Sequence, residues 1–170
     1  MKPDTVRTGI IAAVLCIFLF FLPLQCFIIG DDLGLGIQGA VFRYQMAAQG
    51  NSLIPITYEI GYITSGIYSG KTALSVILWA MGTIVLVCTT IFSLIQWNQL
   101  NRRGLIFIII GITCSCMLYL ASCVVRYGPL FSSPSGTSLP LGIIILAMFA
   151  GFLYFYQDLF FEKNTGSAEH

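Results

Sequence analysis

The sequence predicts an all-α integral membrane protein: a four-helix transmembrane bundle, both termini cytoplasmic, with a small extracytoplasmic β-hairpin in its first outer loop. Three observations predict it. Of 170 residues, 57% are hydrophobic and only 9% charged, whereas a soluble domain carries about 25% charged residues. The apolar residues gather into four runs long enough to cross a bilayer. All charged side chains (eight Lys and Arg, seven Asp and Glu) lie outside those runs. So little charge excludes a soluble enzyme and a disordered chain, and a net charge of +1 gives no basic surface for nucleic acid.

Residues 1–8 form a short cytoplasmic N-terminus with Lys2 and Arg7. The first span is read as 9–30 (GIIAAVLCIFLFFLPLQCFIIG), because a crossing helix needs about 20 apolar residues at ~1.5 Å each. The run is too long for a signal peptide and no A-x-A pattern follows it. Leu22-Pro23-Leu24-Gln25 before Cys26 lacks the small residue of a lipoprotein signal, so a retained helix is expected.

Residues 31–71 form the one sizeable outer loop. Its start, Gly30 to Gly39, is glycine-rich, and Asp31-Asp32 lacks calcium-loop spacing, so a solvated turn is expected there. Val41 to Met46 alternates, with Phe42, Tyr44 and Met46 on one side. Ile54 to Tyr62 alternates too, carrying Tyr58 and Tyr62. Such a period of two reads as strands, and Gln49-Gly50-Asn51-Ser52 supplies the turn between them. Pro55 places its strand at an edge or makes it begin late; an amphipathic helix is the rival reading for 39–48. A lone hairpin is marginal in water, so its apolar face must rest on helix ends, lipid headgroups or a partner. Phe42, Tyr44, Tyr58 and Tyr62 are the candidate docking residues.

The second span is 72–97, followed by a basic cytoplasmic turn at 98–103 containing Arg102 and Arg103. The third span is 104–125. Residues 126–138 make a short outer loop broken by Pro129 and Pro134. The fourth span is 139–157, and 158–170 is a cytoplasmic tail. Lys2, Arg7, Arg102, Arg103 and Lys163 then lie inside, against Arg43, Lys71 and Arg126 outside, as the positive-inside rule prefers. Trp97, Tyr154 and Tyr156 fall at the inner interface and Tyr127 at the outer one.

Six cysteines, at 16, 26, 88, 114, 116 and 123, all fall inside these spans. Cys26 and Cys123 come near the outer surface on spans one and three, where they are neighbours or a disulfide pair. The other four lie nearer mid-depth. Cys114-Ser115-Cys116 is not the C-x-x-C of quinone-coupled disulfide reductases, and no His, Asp or Glu lies within the spans to complete a metal shell. Buried thiols of this kind act as small hydrophobes. No metal or cofactor is expected, and no Ser-x-x-Lys, phosphate loop, internal His or carboxylate pair at depth suggests catalysis. Hydroxyls on span two (Ser75, Thr83, Thr89, Thr90, Ser93) and span three (Thr113, Ser115, Ser122) offer either helix–helix bonds or a polar path. Ala12 with Cys16, Gly111 with Ser115 and Ala147 with Gly151 supply small-residue faces for helix association.

Cytoplasmic termini, a first outer loop of strand character, a tight inner turn and a short second outer loop together resemble the layout of claudin-like and other tetraspan proteins. The likeness is one of topology: the claudin W…GLW…C…C loop signature is absent, since this loop has neither Trp nor Cys. The expected function is non-enzymatic. The chain would be a multi-pass protein of the cell membrane acting through contact with a protein partner or another copy, by the outer loop and the small-residue faces. The alternatives are a pore or transport subunit and, third, a membrane thiol-redox protein.

Overall fold

The structure, a computed structural model, describes residues 3–30, 34–47, 50–96, 101–134 and 136–157, with side chains from residue 9 onward. It is mostly helical, but a six-stranded antiparallel sheet is built into one end.

Helix α1 (Pro3–Phe20) stops well short of Gly30. Pro23 cannot continue it, having no N–H and disfavouring helical geometry in the residue before it. The apolar run therefore changes conformation, and its last third is strand β1 (Gln25–Ile29). Strands β2 (Gly34–Gln38) and β3 (Phe42–Ala47) follow, and the expected strand at 41–46 is present. Its partner is earlier than expected: β4 (Gly50–Pro55) already contains Asn51 and Ser52. Gln49, assigned to the turn, lies outside the described residues.

The alternating stretch after Pro55 is not a strand. Ile56–Thr64 forms helix α2, with Pro55 as its N-cap residue. Helices α3 (Gly70–Ile95) and α4 (Arg102–Tyr127) come next. The Asn101 side chain accepts from the Gly104 N–H at 2.7 Å and so caps α4. Strands β5 (Ser132–Ser133) and β6 (Gly136–Leu139) lead into helix α5 (Leu141–Phe155). The fourth apolar run thus also begins as strand. Helices α3 and α4 are long and apolar enough to cross a membrane; the apolar helical stretches Gly9–Phe20 and Leu141–Phe155 are shorter.

The sheet order is β4-β3-β2-β1-β6-β5. Cys26 faces Ile37 on one side and Leu139 on the other, and Ile37 faces Tyr44, which faces Leu53. The central β1 therefore joins segments more than 100 residues apart in sequence.

Below the sheet, α3 and α4 pack along each other. Ser75 Oγ donates to the Ser122 carbonyl at 3.0 Å and Ser122 Oγ to the Ser75 carbonyl at 2.8 Å, a reciprocal clasp. Gly111 gives Thr89 room to approach, since a methyl there would overlap its hydroxyl. Helix α1 packs on α3, α5 packs on α4, and the Phe18 and Phe149 rings stack at 6.1 Å. Leu15, Leu86, Ile108, Ile112 and Leu146 are fully buried at the centre. The Ala12 face is buried within the chain, whereas Ala147 faces outward and nothing approaches Gly151.

Candidate functional site

Alternation along each strand sends neighbouring side chains to opposite faces of the sheet. The face turned toward the helices carries Gln25, Gln38, Arg43 and Ser138, each 4% exposed or less, together with buried Phe27. The face turned away carries Ile28, Leu35, Met46, Leu53 and Leu139, each 42% exposed or more. A sheet that faces water on one side shows the opposite pattern, apolar in and polar out.

The inward polar groups form one connected chain. Arg43 Nη1 donates to Glu59 Oε1 at 2.6 Å, an ion pair between β3 and α2. Arg43 Nη2 donates to Gln38 Oε1 at 2.9 Å, and Gln25 Nε2 donates to the same oxygen at 2.6 Å. Gln25 Oε1 in turn accepts from Cys123 Sγ at 2.6 Å and Ser138 Oγ at 2.9 Å. The chain runs from α2 through β3, β2 and β1 to α4 and β6. Arg43 also lies 5.6 Å from the ring centres of both Phe27 and Trp79, whose π faces attract the cation.

Glu59 is fully buried, and its Oε2, Arg43 Nε and Arg126 Nη1 have no hydrogen-bond partner among the described residues. Burial and then Glu59 raise the pKa of Tyr68 from the usual phenol value. Both partners of the ion pair are already engaged and closed off from solvent. Such a pair specifies geometry more than it adds stability: it fixes α2 against the sheet.

The outward face holds an apolar groove of about 480 Å³, lined by Cys26, Ile28, Leu35, Ile37, Tyr44, Met46 and Leu139, among others. Of the four candidate docking residues, Tyr44 lines this groove. Phe42 is half-buried at the β2–β3 turn, where its ring fills the space a side chain on Gly39 would need. Tyr58 and Tyr62 are on α2, beside a shallow depression formed with Thr57, Gly61, Ser65 and Ile67. Tyr62 packs edge-on against Tyr68 at 5.3 Å. The four do not share one hairpin face, because Tyr58 and Tyr62 belong to a helix.

Cys26 and Cys123 are not bonded; both are free thiols. Cys26 points into the outward groove, while Cys123 bonds Gln25 on the inward side. Adjacent strand residues face opposite ways, so β1 itself separates the two sulfurs. Most of the span hydroxyls are engaged internally, whereas buried Ser93 Oγ has no hydrogen-bond partner among the described residues. Thr89, Thr90, Thr113 and Ser115 donate to carbonyls four residues back, and Thr83 donates to the Ala40 carbonyl at 2.6 Å.

No family model, curated protein or solved structure matches the chain. The polar chain was missed in the sequence reading, although a signal for it existed. Arg43 and Glu59 are the only charged residues between Gly34 and Gly70, and two opposite charges in so apolar a stretch suit a buried pair.

Proposed function

We propose that the chain is a non-enzymatic four-span membrane protein that works by contact, presenting its sheet and α2 as a docking surface to another membrane protein or a second copy. The observation that carries this reading is the inverted sheet. Gln25, Gln38, Arg43 and Ser138 are consumed inside the molecule, and the outward face, Asn51 and Thr137 apart, leaves apolar side chains for something outside. In this arrangement α1 with β1 and β6 with α5 act as the first and fourth crossings, and α3 and α4 as the second and third. Arg102 and Arg103 then mark the cytoplasmic end of α4, and Lys71 and Arg126 the outer ends of α3 and α4, in keeping with the positive-inside rule.

The test combines extraction and crosslinking. The protein should resist alkaline carbonate extraction from membranes. A photo-crosslinking amino acid at Leu35 should join the chain to a protein partner or another copy, and Leu35→Asp should abolish the association. A chain that stays monomeric in mild detergent and in nanodiscs, with no protein crosslinked at Leu35, refutes contact as its mode of action.

A further inference from the structure

The helix lengths set the depth of the sheet. On the four-span reading, on which this inference rests, the cytoplasmic ends of the helices lie near Gly9, Ile95, Arg103 and Phe155. Thr83, which holds the Ala40 carbonyl at the β2–β3 turn, is about 18 Å of helix rise from Ile95. The apolar part of α1 (Gly9–Phe20) rises about 18 Å, and α5 (Leu141–Phe155) about 22 Å. Cys116, which meets the Ile143 carbonyl at the start of α5, is about 20 Å from Arg103. All these measures agree, and all stop about 10 Å short of a ~30 Å hydrocarbon core. That last stretch, about three strand residues at ~3.4 Å each, is sheet rather than helix. It contains Cys26, Ile37, Tyr44, Leu53 and Leu139.

We infer that this end of the sheet is immersed in the outer leaflet, and that the deep part of its groove, at Cys26, Ile37, Tyr44 and Leu139, accommodates an acyl chain of an outer-leaflet lipid, leaving Leu35 and Met46 at the rim for the protein contact proposed above. Backbone in hydrocarbon must find its partners within the protein, and around the β2–β3 turn and at the helix–strand junctions it does. The Leu24 N–H donates to the Gln38 carbonyl at 2.7 Å, Gly39 to Phe42 at 2.8 Å, Ile56 to Val41 at 2.9 Å and Ile143 to Leu24 at 3.1 Å. The two carbonyls of the β2–β3 turn are closed by side chains of α3: Trp79 Nε1 donates to Gly39 at 3.0 Å and Thr83 Oγ1 to Ala40. Pro55 ends the edge strand with no N–H to leave open.

The side chains agree with the backbone. The groove is continuous with apolar helix surface, because exposed Leu139 is followed by exposed Leu141, Ile144 and Ile145 on α5. Helix α2, which starts at the same depth, is inverted in the same sense. Glu59 is its buried residue, while Tyr58 and Ile60 are exposed.

The experiment uses the full chain in phosphatidylcholine vesicles containing a phospholipid with a mid-chain diazirine, with labelled residues mapped by mass spectrometry. Label on β1, β2 and β6, at the level found on the exposed side of α3, is the expected result. Leu139→Trp, which covers the groove from an exposed position, should lose the sheet label and keep that on α3. Label on α3 and α4 but none on the sheet overturns the immersion while leaving four spans intact, and a protein crosslink at Leu35 would then identify protein as the cover. Label on neither α3 nor the sheet overturns both readings.

Discussion

Replacing Glu59 by Gln keeps the shape of the side chain and removes its charge. Arg43 is then left 3% exposed without a countercharge, its remaining partners being neutral: the side-chain amide oxygens at position 59 and of Gln38, and two aromatic rings. Breaking a buried pair from one side costs about 3–5 kcal/mol, because the surviving charge stays desolvated. The lower end applies here. Only Oε1 of Glu59 is bonded, Oε2 having no partner among the described residues, so the wild-type pair is itself incompletely compensated. A loss of about 3 kcal/mol corresponds to about 6–12 °C in Tm for a chain of this size. Removing both charges, as Arg43→Met with Glu59→Leu, should recover most of the loss, since apolar replacement of a whole pair is often neutral or stabilising. Trp79, beside Arg43, reports the transition by fluorescence in detergent, and the double-mutant cycle isolates the coupling. Glu59→Gln within 1 kcal/mol of wild type (about the size of an exposed pair), or a double variant no better than the worse single one, refutes a desolvated pair.

Three further outcomes follow from the same geometry. A lysine on the outward sheet face should cost about 2 kcal/mol at Ile37, toward the helices, and about 0–1 at Met46, toward the outer rim, as for charges placed at different depths on a lipid face; unfolding in lipid-containing micelles measures both, and equal costs would count against a depth gradient. Gly142→Ala should destabilise by about 1–3 kcal/mol because its methyl would overlap the Pro23 carbonyl, whereas Gly151→Ala, with nothing within 4 Å, should be neutral or gain up to about 1 kcal/mol. Because the Tyr68 pKa is raised in the fold, the neutral phenol's contribution is fully present below about pH 10 and is lost as the pH rises through the folded-state value; a Tyr68→Phe variant should show less alkaline loss of stability in a pH series of melting curves.

What could be read from the sequence follows from what each signal encodes. Apolar runs report burial in protein or lipid, and they located the helical cores of all four candidate crossings. They do not distinguish helix from strand, so β1 and β6 were absorbed into spans one and four. Pro23 was the local mark of the change, and it stands two residues before β1. The strand at Phe42 was legible because its alternation continues over six residues. The same alternation misled at Ile54–Tyr62, where the inward position of a helical turn holds Glu59 instead of an aliphatic residue. Reading polar residues as outward presumes water outside. On this surface the presumption is inverted, which hid the helical period of Ile56, Glu59 and Ile63 and split the four candidate aromatic residues between two elements.

The position of β1 between β2 and β6 has a consequence for synthesis. The first four strands leave the ribosome before α3 exists, but β1 acquires its second neighbour only when Gly136–Leu139 is made. Until then one edge of β1 is open, and Gln25 lacks Ser138. The last strand and helix therefore act as a closing seam. A chain interrupted before them presents an unpaired strand edge and an unfilled polar position, the features by which quality control can distinguish unfinished copies from finished ones.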